Sequence, residues 1–190
     1  MTHDLDGSST TFFPASKSFS DVHKKGQICS LDVSPQGQFG LSGDTTGGLH
    51  MWDTNFGQVQ RSFVGHVGDV SCCRFFPSGE VILSGGLDRR IKIWSIKDSS
   101  CPVTITASAG VMALALIERG RNFLASSTDG VVGLFDCGTG RQISEILPRS
   151  GISVNDVTVL DSPALCQEPT LPAGSVTLHH TYYLRTFVYY

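Results

Sequence analysis

His66, Ser84 and Asp88 are the residue types of a hydrolase triad, in which an imidazole takes the proton of a serine nucleophile. Their context favours a structural role. Ser84 lies in a β-prone run with Trp94 further along, and no Gly-x-Ser-x-Gly elbow is present to lift a serine out of its strand. His179 and His180 with Cys166 could be imagined as metal ligands, but adjacent histidines on an extended chain diverge and the spacing fits no zinc pattern. No glycine cluster is followed by Lys-Ser or Lys-Thr, so a phosphate-binding loop is absent from the sequence. The expectation is a chain with no catalytic residue, no metal site and no cofactor.

The elements that carry these residues are set by composition and period. The chain has 190 residues, of which 21 are glycine and only 16% are charged. Excess glycine without excess charge points to many tight turns and an all-β domain. With 14 Lys plus Arg against 17 Asp plus Glu, the net charge of -3 offers no pull toward phosphate backbones or anionic lipid. Neither nucleic acid nor a membrane is an expected partner. The longest apolar run, Val111 to Ile117, is far too short to span a bilayer. The polar start, with Asp4, Asp6 and Lys17, lacks the features of a signal peptide. Six cysteines without a Cys-x-x-Cys pair suit free thiols, and a cytoplasmic protein, with nuclear residence also open, is expected.

A repeat organises the chain. A slide of 42 residues (94 − 52 = 42) superposes Pro35 on Pro77, Gly37 on Gly79, Ser42 on Ser84 and Trp52 on Trp94. A further slide of 41 (129 − 88 = 41) places Gly79 on Gly120, Asp88 on Asp129 and Trp94 on Phe135. In the second unit, Val70 to Phe75, Val81 to Ser84, Ile91 to Trp94 and Val103 to Ile105 are short β-prone runs between turn signals. Four strands per unit is the count for a propeller blade. Gln142 to Ile146 closes the third unit and Val154 to Leu160 opens a fourth.

Gly65-His66, Ser84, Asp88 and Trp94 at this period resemble the WD-repeat family. The resemblance implies a buried hydrogen-bonded set of His66, Ser84, Asp88 and Trp94, whose polar atoms would each be costly if left unpaired. In the first unit Lys24 falls opposite His66, with His23 one residue out of register, and Thr46 falls opposite Asp88. An incomplete network is expected there. In the third unit Ala107, Ala125 and Phe135 replace the His, Ser and Trp together, leaving Asp129 to serve the Asp129-Gly130 turn. A closed ring of seven such blades would need roughly 290 residues. The fold expected is therefore a partial WD-repeat β-propeller, about three blades plus the start of a fourth, from a truncated or alternatively ended form. Residues 1–18 form a polar segment, 19–160 the blades, and 161–190 a non-repeat tail. Pro163, Pro169 and Pro172 should keep that tail from pairing, although it ends with Tyr182, Tyr183, Phe187, Tyr189 and Tyr190.

The stretch from Gly65 to Gly79, with Ile91-Lys92-Ile93-Trp94-Ser95 and Asp136-Cys137-Gly138, resembles the proteasomal ATPase-associated factors over roughly Phe19 to Leu160. That resemblance implies a non-catalytic protein that binds ATPase subunits of the proteasome regulatory particle and regulates its assembly. A WD-repeat scaffold for another complex, such as a ubiquitin ligase, is the alternative that the fold equally permits. Partner contacts are expected on the loops at the end of the blades that carries His66 and Asp88, at Lys24, Lys25, Val67, Asp69, Arg89 and Arg90. A merely solvated rim would carry the same residue types. Blades that do not close a ring also expose sheet edges, so self-association is expected.

Overall fold

The computed structural model describes residues 18–147 and 151–160, together with the backbone of strands 176–178 and 182–187. Among these residues there is no α-helix, only a single 3-10 turn at Glu118–Gly120. No helix is long and apolar enough to cross a membrane. The remaining elements are fifteen strands in four antiparallel sheets.

Blade 1 is a four-stranded meander of β1 (Ile28–Val33), β2 (Phe39–Asp44), β3 (Leu49–Asp53) and β4 (Val59–Phe63). Blade 2 repeats it with β5 (Cys72–Phe75), β6 (Val81–Gly85), β7 (Arg90–Ser95) and β8 (Val103–Thr106), and blade 3 with β9 (Val111–Ile117), β10 (Asn122–Ser127), β11 (Val132–Asp136) and β12 (Gln142–Leu147). Each strand pairs with the next in the chain, so the hairpin turns alone set the register. The fourth sheet has the order β13 (Asp156–Leu160), β15 (Tyr182–Phe187), β14 (Val176–Leu178). Its backbone pairing corrects the expectation of an unpaired tail over residues 176–178 and 182–187, where no proline interrupts the β-prone run. Residues 161–175, where the prolines fall, lie outside the described residues, as does Cys166.

Both faces of the middle sheets are buried, and strand alternation decides which neighbour each side chain meets. In blade 2, Cys73, Phe75, Ile82 and Trp94 join Leu41, Leu49, Met51 and Phe63 of blade 1 in one core. The intervening residues Cys72, Leu83, Ile91 and Ile93 face the other way and meet Val111, Leu114, Phe123 and Phe135 of blade 3. Adjacent Cys72 and Cys73 thus enter different cores, and burial pushes each thiol up to about 12. A third core sets Ala113, Ala115, Leu124 and Val132 against Val154 and Val157. A hydrogen bond recurs at each blade boundary, from Val70 N to Asp44 O, Val111 N to Gly86 O and Val154 N to Ser127 O, at 3.0, 3.1 and 3.4 Å. It anchors the start of each inner strand to the preceding blade.

On the other side of blade 1 nothing in the described chain plays the neighbour. Leu31 and Val33, 42 residues before the buried Cys73 and Phe75, are 57% and 51% exposed. Exposed aliphatic side chains on a sheet face favour association. The chain on its own is expected to self-associate, and the double change Leu31→Ser with Val33→Thr to shift sedimentation toward the monomer. Unchanged assembly in that variant would place the contact elsewhere.

Candidate functional site

The end of the blades that carries His66 and Asp88 is built on two buried hydrogen-bonded relays. In blade 2 the Trp94 indole donates to Ser84 Oγ at 2.8 Å, and Ser84 Oγ lies 2.8 Å from His66 Nε2. His66 Nδ1 lies 2.9 Å from Asp88 Oδ2. The distances close with one proton per link: Trp94 N–H to Ser84, Ser84 O–H to His66 Nε2, and His66 Nδ1–H to Asp88. This order requires a neutral imidazole, because Nε2 must offer a lone pair. Burial holds the His66 pKa below its usual value despite the opposing pull of Asp88. Asp88 completes its bonding with the backbone N–H groups of Val67 and Arg90. Burial alone would raise its carboxyl, but the bonds from Val67 and His66 outweigh it and hold the pKa low. Ser84 is fully buried and committed both as donor and as acceptor, so its hydroxyl is not presented as a nucleophile.

Blade 1 corrects the expectation of an incomplete network. His23, not Lys24, takes the histidine place, 43 residues before His66 (66 − 23 = 43), with Nε2 2.7 Å from Ser42 Oγ and Nδ1 2.6 Å from Asp44 Oδ2. Trp52 donates to Ser42 Oγ at 3.1 Å. The carboxylate comes from Asp44, at the start of the turn, and Thr46, at the position of Asp88, instead donates its hydroxyl to Asp44 Oδ1 at 2.8 Å. Two positions in the turn can thus deliver a carboxylate to one place. In blade 2 the earlier position is Gly86, where a Cβ would lie 2.8 Å from Asp88 Oδ1 and 3.0 Å from His66 Nδ1. Burial would raise the Asp44 carboxyl, but hydrogen bonds from His23, from Thr46 and from the N–H of Gly48 bring it down to about 2. The sequence signal for Asp44 was a carboxylate two residues beyond the strand serine, a position that a fixed 42-residue offset does not test.

Blade 3 has no relay. Phe135 stacks on Phe123 with centroids 5.1 Å apart, and a small cavity of about 60 Å³ lies among Ala107, Ala125 and Phe135. The Asp129 carboxylate is held by the hydroxyls of Ser108 and Ser127, at 3.0 and 2.6 Å.

The ligand atoms of His23, Asp44 and His50 lie within 4.8 Å of one another, a grouping that could hold a cation. His23, however, spends both ring nitrogens on Asp44 and Ser42, and His50 Nδ1 is 2.9 Å from Ser62 Oγ. Binding a metal through His23 would break the relay to Trp52. His179 and His180 lie outside the described residues.

Of the rim residues, Val67, Arg89 and Arg90 come together with Gly65, Leu87 and Lys92 around an open groove of about 750 Å³. Lys92 and Leu87 were not among the candidates singled out from the sequence, because both sit among strand and turn positions that read as scaffold. Lys24 and Lys25 are exposed beside a separate hollow of about 400 Å³ on blade 1. Asp69 is half-buried, and its backbone carbonyl accepts from Leu87 N. Arg89 has φ 63°, in the left-handed region, at the place where blades 1 and 3 carry Gly47 at φ 90° and Gly130 at φ 86°. A non-glycine residue there costs about 1 kcal/mol or more.

Comparison with known proteins agrees with this architecture. The family model for the WD domain, G-beta repeat, matches residues 16–53 and 57–95. The 26S proteasome regulatory subunit RPN14 of Saccharomyces cerevisiae is 36% identical over 141 residues, covering 73% of this chain and 34% of that protein. Human proteasomal ATPase-associated factor 1 is 42% identical over 74 residues, 39% of this chain and 19% of that protein. Periodic tryptophan protein 2 of Saccharomyces cerevisiae is 30% identical over 128 residues, 66% of this chain and 14% of that protein. The chain therefore spans about a third, or less, of the length of these relatives.

Two predictions follow from the relays. Asp44→Ala and Asp88→Ala should each lower stability by about 1 to 3 kcal/mol in thermal or urea melts, and Thr46→Ala by less, because only the first two orphan a buried imidazole. A Thr46 change as damaging as the Asp44 change would refute the assignment of the carboxylate. Acid should act in two stages. His66, with its pKa lowered by folding, contributes stability that is present above its unfolded value of about 6.5 and falls away as pH drops below it. Asp44 contributes stability that is lost as pH falls from about 4 toward 2. Melts across this range should show the second stage weakened in Asp44→Asn.

Proposed function

We propose that this chain of WD40 repeats, homologous to the proteasomal ATPase-associated factors, is a non-catalytic interaction module. It binds ATPase subunits of the proteasome regulatory particle and acts on the assembly of that particle. The observation that carries this reading is the 36% identity to RPN14 across 141 residues, 73% of this chain. The geometry is compatible with it. The buried His, Ser and Asp are consumed in holding loops, and the groups left available are cations and aliphatic side chains at the rim. Rigid loops on a packed scaffold suit recognition of another protein. We place the protein in the cytoplasm and nucleus, where such a partner would be met; fractionation of cells checks this.

The similarity to periodic tryptophan protein 2 favours, as a second reading, a scaffold in a different assembly. The two readings part in one experiment. The chain and a longer relative are immobilised side by side, and purified ATPase subunits and regulatory-particle subassemblies are titrated over both. Saturable binding to the chain is expected, weaker than to the longer relative, because loops from further blades add contacts; two missing anchors at about 2 kcal/mol each would amount to roughly a thousandfold. Binding by the relative and none by the chain would overturn the proposal for this chain.

A further inference from the structure

We infer that the groove on blade 2, between the Gly65–Val67 loop and the Leu87–Arg90 turn, is a docking site for an acidic peptide segment carrying an aliphatic side chain. It deepens the interaction-module reading by naming the chemistry of the partner, and rests on that reading only for the identity of the protein that supplies the segment.

Three cations, Arg89, Arg90 and Lys92, line this one groove in a chain whose net charge is -3. None of them pairs with a carboxylate among the described residues, where the Asp side chains within reach of a basic group are those of the two His–Asp relay contacts. The Asp88 carboxylate at the groove is already engaged by His66 and by the N–H groups of Val67 and Arg90. Two of the cations are also held in place. Lys92 Nζ donates to Thr104 Oγ1 at 3.1 Å and sits 5.6 Å from the Trp94 ring, and the Arg90 guanidinium donates to Thr106 Oγ1. Cations held by neighbours, with no carboxylate partner among the described residues, form a pre-organised receptor for carboxylates, which guanidinium binds with two parallel hydrogen bonds.

The backbone supplies a second, independent observation. At one turn position blades 1 and 3 use glycine, and blade 2 alone places an arginine there in a left-handed conformation. Glycine would relieve the strain, so the charge is held at the groove against the preference of the backbone. In the same groove Val67 is 82% exposed and Leu87 is 44% exposed, an aliphatic wall beside the cations. Such a wall suits a peptide side chain. A single-stranded nucleic acid would want an exposed ring for its bases, and the indole of Trp94 is buried.

The test uses the full 190-residue chain and a fluorescein-labelled ten-residue peptide in which glutamates flank one leucine, with the glutamine counterpart and an oligouridine as competitors for the assignment. Fluorescence anisotropy should show saturable, salt-sensitive binding of the glutamate peptide and weaker binding of the other two. Arg89→Gly installs the residue that blades 1 and 3 carry, so its melting temperature should be unchanged or higher while affinity falls about tenfold or more. Lys92→Met should also weaken binding, and Leu87→Ser should weaken it without changing the salt dependence. No saturable binding, equal binding of the glutamine peptide, tighter binding of the oligouridine, or an Arg89→Gly chain that binds as well as the parent would each overturn the inference. Retention of ATPase-subunit binding in Arg89→Gly would overturn the groove as the contact and leave the proposed function standing. Peptide binding without ATPase-subunit binding would do the reverse.

Discussion

The loop and turn at one end of blade 2 depend on an imidazole kept neutral. In blade 2, where burial disfavours a charged ring, one donor and one acceptor per link require His66 to take a hydroxyl proton on Nε2 and to give its own from Nδ1 to Asp88. A second proton on that ring would leave the Ser84 hydroxyl with no acceptor in its relay. The relay couples distant parts of a blade. It ties the tryptophan of the third strand to the serine of the second, and both to the loop that enters from the preceding blade. In blade 2 the carboxylate then reaches the N–H of Val67 and of Arg90, so the loop and the turn that border the groove are fastened to the same anion.

Much of this was legible because a repeat is its own alignment. Ser42 and Trp52 announced their roles by standing 42 residues before Ser84 and Trp94, and the apolar exchange at Ala107, Ala125 and Phe135 was visible as a coordinated change. The two misassignments in blade 1 have one cause, the assumption of a constant offset. The loop into blade 1 is one residue longer than the offset allows, which moved the histidine from Lys24 to His23, and the turn after β2 supplies its carboxylate two residues early. Turn chemistry is where backbone length can vary without disturbing strand register, so the roles most easily misassigned are those on turns. The pairing of β13 with β15 and β14 had no repeat to announce it, and prolines nearby argued against strands. Lys92 escaped notice for another reason: a strand lysine reads as scaffold until its neighbours Thr104 and Trp94 show how it is held.

Blade 3 illustrates that burial, and not the relay as such, is the requirement. Replacing three polar partners together removes the demand for hydrogen bonds along with the supply, and a stacked Phe123–Phe135 pair fills most of the space. The three blades thus solve the same packing problem with two different chemistries. What recurs regardless is the backbone bond from the start of an inner strand to the preceding blade, present at all three described boundaries.

The placement of the tryptophans also decides what an optical experiment on this molecule sees. Trp94 is 1% exposed and lies under Lys92, while Trp52 is half-buried with Phe19 against it. Both indoles are hydrogen-bonded into a relay, and the chain has no third, since blade 3 carries Phe135 in that place. Intrinsic indole emission is therefore a gauge of blades 1 and 2, with Trp94 contributing the bluer component, and it is blind to the blade that folds without a relay.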